Sequence, residues 1–157
     1  ILIGWVWNFL PGWCNLSVSS TAPTLPGFTL DASRCLLASV DTAALGSAGW
    51  EQFSDLWETI SAGTRIFCHL PRQEVGALRK EQILPALQAA GLPVDDFVLQ
   101  LSGLRYAEQD GSISYPNFIC CLLTLQRVTG MFQAADPSGS GTVTLNYRQC
   151  MRLAMYS

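Results

Sequence analysis

Asp136, Ser138, Ser140, Thr142 and Thr144 put a side-chain oxygen at every second residue, with Gly139 and Gly141 among them. Hard oxygen donors at that spacing, on a chain bent by glycine, suit capture of a divalent cation. Tyr106, Glu108, Asp110, Ser112 and Ser114 repeat the pattern around Gly111, and Asp41 opens another run ahead of Gly46. The chemistry on offer is cation binding, and its strength depends on how many of these oxygens belong to carboxylates.

The elements that must hold these residues are marked by glycine. Gly46, Gly76, Gly111 and Gly141 are separated by 30, 35 and 30 residues, and each is followed two places later by Ala48, Leu78, Ile113 or Val143. Seven residues beyond the first three stand Phe53, Ile83 and Phe118, large apolar side chains opening helix-like stretches. Recurrence on this scale means stacked supersecondary units. An EF-hand accounts for it, since its 12-residue loop needs glycine at position 6, oxygen ligands at 1, 3, 5, 7 and 9, and a bidentate Glu at 12.

The loops then fall at 41–52, 71–82, 106–117 and 136–147. A spacing of 30 residues holds one loop and one shared helix, whereas 35 allows two helices and a turn, supplied by Gly91-Leu92-Pro93. The expected fold is all-α, built of helix–loop–helix repeats with short β bridges between the loops.

Ligand positions are far less regular than the spacing. Loop 41–52 reads Asp41, Ala43, Leu45, Ser47, Gly49 and Gln52, and loop 71–82 reads Pro71, Gln73, Val75, Ala77, Arg79 and Gln82. Loop 106–117 has Tyr106, Glu108, Asp110, Ser112, Ser114 and Asn117, while 136–147 keeps its oxygens but ends in Tyr147. The candidate metal ligands are thus Asp41, Glu108, Asp110, Asp136, Ser138, Ser140 and Thr142. With so few carboxylates, calcium affinity is expected at about millimolar or weaker, outside the ~10⁻⁷–10⁻⁵ M range of sensors. The stretch from Asp136 also reads as a surface turn followed by a short strand, Thr142-Val143-Thr144.

Phe28-Thr-Leu-Asp-Ala-Ser-Arg-Cys35, Val40-Asp41 and Phe53-Ser-Asp-Leu-Trp57 resemble the second hand of the penta-EF-hand domain of calpains, the calcium-dependent cysteine proteases. The likeness continues through Ala89-Ala-Gly91, Arg105-Tyr106, Asn117-Phe-Ile-Cys-Cys-Leu122, Met131-Phe132 and the closing Leu153-Ala-Met-Tyr-Ser157, about 130 positions in all. It implies hands that pair locally and a fifth hand that pairs with the fifth hand of another chain, the contact joining catalytic and small regulatory subunits in calpains. Here that hand is residues 131–157, with Val143, Leu145, Met151, Leu153 and Met155 as the interface. Read without the family, residues 147–157 form an amphipathic helix rich in Met and Leu, a stripe that also suits an ordinary core. The loss of ligands points to a divergent large subunit.

Two departures from the family stand out. Ala43, Leu45 and Gln52 replace ligands in one hand, and Pro71, Val75 and Gln82 in the next. The first hand is missing, because residues 1–27 show neither loop nor helical period. Domain organisation is accordingly 1–27, an apolar segment and linker, followed by 28–157, the four-handed domain.

No charged residue precedes Asp31, yet Pro11-Gly12 interrupts the apolar run after ten residues, short of the ~20 a membrane span needs. Interfacial helices bring basic residues that this one lacks, which argues against a membrane anchor in residues 1–16. Across 157 residues, 49% are hydrophobic and 13% charged, a balance that favours a protein partner. Net charge is −3 with no basic run, which excludes nucleic acid as a partner.

The six cysteines lack Cys-x-x-Cys spacing and fall mostly in helix-like stretches, as small buried hydrophobes of a reduced, cytoplasmic protein. His69 adjoins Cys68, but neighbours on a helix diverge by ~100° and make no nucleophile–base pair. The calpain likeness places chemistry in a separate papain-like domain. The function expected is a non-catalytic regulatory and dimerisation module of a calpain-like protease, with weak or no calcium binding and a small regulatory subunit or a second copy as partner. The alternative is a calcium-responsive switch filled through loops 106–117 and 136–147.

Overall fold

The computed structural model describes residues 28–41, 49–70 and 76–155. Among the described residues, six helices, α1 (Leu30–Val40), α2 (Trp50–His69), α3 (Lys80–Ala89), α4 (Asp96–Tyr106), α5 (Tyr115–Ala135) and α6 (Tyr147–Met155), are joined by two short strands, β1 (Ala77–Leu78) after α2 and β2 (Ile113–Ser114) after α4. The expected all-α fold with small β bridges is what forms.

Local chemistry starts each helix. Thr29 caps α1 by accepting from the Ala32 N–H at 3.1 Å, and Asp95 caps α4 by accepting from the Val98 N–H at 2.8 Å. Both satisfy backbone donors that the first helical turn leaves without partners. The α3 helix ends at Gly91-Leu92, where Gly91 takes φ 75° and the Leu92 N–H reaches back to the Leu87 carbonyl at 3.2 Å. Such a left-handed residue closing a helix is why glycine is needed there. This is the turn that the wider glycine spacing requires.

Helix α5 is the hub, touching α1, α2, α4 and β2. Its first half is a continuous buried wall, with Tyr115, Phe118, Ile119, Cys121 and Leu122 all at most 2% exposed. The α2 helix presents Leu56, Ile60, Gly63 and Phe67 to it, a spacing of four, three and four residues that keeps one face inward. Phe67 packs edge-on to Tyr115 with ring centroids 5.2 Å apart, and Phe28 meets the same ring at 5.6 Å.

The Tyr115 hydroxyl is not stranded in this core, because it bonds Thr64 Oγ1 at 2.9 Å while Thr64 donates to the Ile60 carbonyl. By length and composition α5 could cross a membrane. Its buried first half is instead the protein's own core.

Strands β1 and β2 pair antiparallel, with Ala77 opposite Ser114 and Leu78 opposite Ile113. Both Leu78 and Ile113 are completely buried, so the bridge ties the two loops to the core as well as to each other. No strand forms at Thr142-Val143-Thr144, so the turn at Asp136 is followed by chain without regular secondary structure as far as α6. Toward its C-terminal end α5 leaves the core, and Val128, Met131 and Phe132 are exposed.

Candidate functional site: the EF-hand loops

Gly76, Gly111 and Gly141 have φ of 69°, 81° and 76°, the left-handed conformation that position 6 of each loop demands. Gly46 lies outside the described residues, as do positions 2–8 of loop 41–52 and 1–5 of loop 71–82. Leu78 and Ile113, which pair across the bridge, both occupy position 8 of their loops.

In loop 106–117 the side chains bond to one another. Asp110 accepts from the Ser112 N–H at 2.9 Å and from its hydroxyl at 2.7 Å, which holds the Asp110 carboxyl below its ordinary range. Asn117, at position 12, donates to the Tyr106 carbonyl at 3.0 Å and to Glu108 Oε1 at 3.2 Å. Its amide N–H groups thus meet oxygens that a bound cation would attract. Tyr106, at position 1, turns its hydroxyl away to donate to Thr124 Oγ1 at 3.0 Å. Burial raises the pKa of that phenol.

Loop 136–147 is organised around one carboxylate. Asp136 Oδ1 accepts from the Ser138 hydroxyl at 2.9 Å and the Ser140 N–H at 2.9 Å, and Oδ2 from the Gly141 N–H at 2.7 Å. These donors favour the ionised form and hold Asp136 at a pKa of about 2, the Ser140 N–H contributing most. Ser140 Oγ also donates to the Thr142 carbonyl at 3.1 Å. Tyr147 at position 12 is 78% exposed and offers no carboxylate.

The other two position-12 residues serve the helices they open. Gln52 Oε1 accepts from the Gly49 N–H at 2.9 Å, and Gln82 Oε1 from the Arg79 N–H at 3.0 Å. Each amide therefore caps a helix start, a role that glycine at Gly49 could not fill itself. In the last hand Asn146 and Gln149 cap each other's backbone N–H groups at 2.9 Å, leaving Tyr147 outside the exchange. This use of position 12 is hidden in the sequence except for the amide residues themselves. Asp41 sits at the end of α1, only 4% exposed, with its N–H on the Leu37 carbonyl.

The described site residues therefore separate into two groups. Glu108 and Asp110 share loop 106–117, and Asp136, Ser138, Ser140 and Thr142 share loop 136–147. Among the described residues no cluster of three or more His, Cys, Asp or Glu could hold a metal. Of the interface candidates, Val143, Met151 and Leu153 are half-buried and Leu145 is exposed, while the Met155 side chain lies outside the described residues. His69 sits at the exposed end of α2, where its Nδ1 meets the Arg65 carbonyl at 2.7 Å. Cys150 departs from the expected burial of the cysteines, since α6 leaves it exposed.

Paired helix–loop–helix units joined through position 8, with left-handed glycines at position 6, define the EF-hand class. The chain is 32% identical to calpain small subunit 2 from Homo sapiens and to that from Mus musculus, over 131 residues that make up 83% of this chain and 53% of each relative. Calpain small subunit 1 from Mus musculus is 29% identical over the same length, covering 49% of that protein. The chain thus spans about half the length of the curated relatives it matches.

A solved structure of a homolog of programmed cell death 6 protein from Leishmania major Friedlin has the same fold, with a TM-score of 0.60 and 22% identity over 90% of this chain and 80% of that one. No protein-family model matches the chain. Fold and sequence together make this a calpain-like penta-EF-hand domain. These relatives are calpain small subunits.

Proposed function

We propose that this chain is the non-catalytic regulatory and dimerisation module of a calpain-like cysteine protease, with calcium loops mostly degenerate. The carrying observation is the fate of position 12: Gln52 and Gln82 cap helices, Asn117 donates into its own loop, and Tyr147 faces solvent. A calcium loop draws two oxygens from that position. With at most two carboxylates in either fully described loop, the donor sets fit calcium poorly, and binding is weak or absent.

Regulation then rests on contact between chains. The last hand exposes Leu145 and Tyr147, and the C-terminal half of α5 exposes Val128, Met131 and Phe132. An apolar face of this kind is what a paired hand would cover. The partner is a calpain subunit with its own fifth hand, or a second copy of this chain, in the cytoplasm. Neither nucleic acid nor a membrane is part of this reading.

Sedimentation velocity of the chain at about tens of micromolar, alone and mixed with a calpain-type penta-EF-hand subunit, tests the proposal, because an interface of ordinary size is occupied at that concentration. A dimeric species in either sample is the expected result. A well-behaved monomer in both would overturn it.

A further inference from the structure

Three thiols lie where α1 and α4 meet α5, away from the loops and unused by the reading above. Cys35 Sγ on α1 is 3.8 Å from the Cys120 carbonyl and 3.6 Å from Thr124 Oγ1, and Cys120 Sγ on α5 is 3.8 Å from the Ala32 carbonyl. Each sulfur therefore lies against the helical turn that carries the other. Tyr106 donates its hydroxyl to Thr124 Oγ1, which leaves the Thr124 proton to point at the Cys35 sulfur. Cys35 is half-buried and Cys120 almost wholly buried.

We propose that Cys35 and Cys120 form a peroxide-responsive pair, in which Cys35 is oxidised first and Cys120 resolves it to a disulfide joining α1 to α5. The Cys35 thiolate attacks one oxygen of a hydroperoxide. An S–O bond forms, the O–O bond breaks, and the departing alkoxide or hydroxide takes up a proton. Cys120 sulfur then attacks the sulfenic sulfur, and the displaced hydroxide leaves as water with the Cys120 proton. In sum, two thiols lose two electrons to the peroxide and yield a disulfide, water and an alcohol or a second water.

The electrostatics match this division of labour. Its hydrogen bonding with Cys120 is the largest influence on Cys35 and lowers its pKa to about 6, with Thr124, Arg105 and Arg127 acting in the same direction against the cost of burial. Cys120 is pushed upward by the same contact and by burial, so it stays protonated and does not compete for the oxidant. Cys121 points elsewhere, toward Ser102, and burial lifts it to about 11. Neighbours on one helix diverge by ~100°, so Cys121 cannot substitute for Cys120.

The test uses the full chain, reduced, freed of reductant and treated with hydrogen peroxide, then mapped by mass spectrometry under non-reducing conditions. A Cys35–Cys120 linked peptide, reversed by dithiothreitol, is the expected main product. In Cys120→Ser the sulfenic acid should persist on Cys35 and be trapped by dimedone, at least about tenfold faster than label reaches exposed Cys150. Cys35→Ser should lose the disulfide, and Cys121→Ser should keep it. A main disulfide between other cysteines, or dimedone labelling of Cys35 no faster than of Cys150, would overturn the proposal; neither readout requires the Cys35→Ser protein to fold.

Discussion

Asn117 donates its side-chain N–H to the Tyr106 carbonyl oxygen at 3.0 Å, so the last and first positions of loop 106–117 are joined without a cation. The same amide bonds Glu108 at 3.2 Å. Asn117→Glu removes that donor and brings two acceptor oxygens to join Glu108 and Asp110. Calcium affinity should rise by at least about tenfold, because affinity follows the number of charged ligands. Calorimetric titration of parent and variant checks this, and equal affinities would contradict the role given to Asn117.

Gly63 marks the closest approach of α2 to α5. A β-carbon there would lie 2.6 Å from Leu122 Cδ2 and 3.0 Å from Ile119 Cδ1, both in the buried wall. Gly63→Ala should therefore destabilise the fold by about 1–3 kcal/mol, the usual cost of overpacking a filled core. Gly103 in α4 has nothing within 4 Å of its would-be β-carbon, so Gly103→Ala should stabilise by about 0.5–1 kcal/mol through helix propensity. Urea denaturation midpoints of the two variants must move in opposite directions for this packing to hold.

Asp136 gives the last loop a pH dependence of definite sign. Its pKa falls from 3.8 to about 2 because the folded loop aims N–H and O–H donors at the ionised carboxylate. A pKa lower in the folded state means stabilisation present at neutral pH, kept down to about the ordinary carboxylate value, and lost as pH falls towards 2. Carboxyl carbon shifts followed by NMR should titrate with a midpoint near 2, and a midpoint at 3.8 would show the loop unformed.

How the sequence encodes this domain differs from one feature to another. Glycine spacing located the turns, since Gly76, Gly111 and Gly141 all take the left-handed conformation that few other residues tolerate. Leu78 and Ile113, two places after their glycines, proved to be the bridge between loops. The roles of Gln52, Gln82 and Asn117 were not legible, because an amide can accept or donate and only the backbone around it decides which. Likewise Cys35 and Cys120 are 85 residues apart in the chain, and no local pattern announces that α1 crosses α5 there.

Leu145 and Leu153 lie on the last hand, the first exposed and the second half-buried. Replacing either by Asp would bury a charge without a partner if this hand pairs with another, a penalty of about 3–5 kcal/mol when the site is fully enclosed. Leu145→Asp should shift sedimentation towards monomer while helical circular dichroism stays the same. Unchanged association in both variants would move the interface elsewhere.

Calorimetric titration of the parent chain with calcium bears most directly on the central claim, that the turns of this domain persist without a working set of carboxylate ligands. No saturable heat should appear below about millimolar metal. A well-defined isotherm with a dissociation constant in the ~10⁻⁷–10⁻⁵ M range would contradict it and make the chain a calcium sensor.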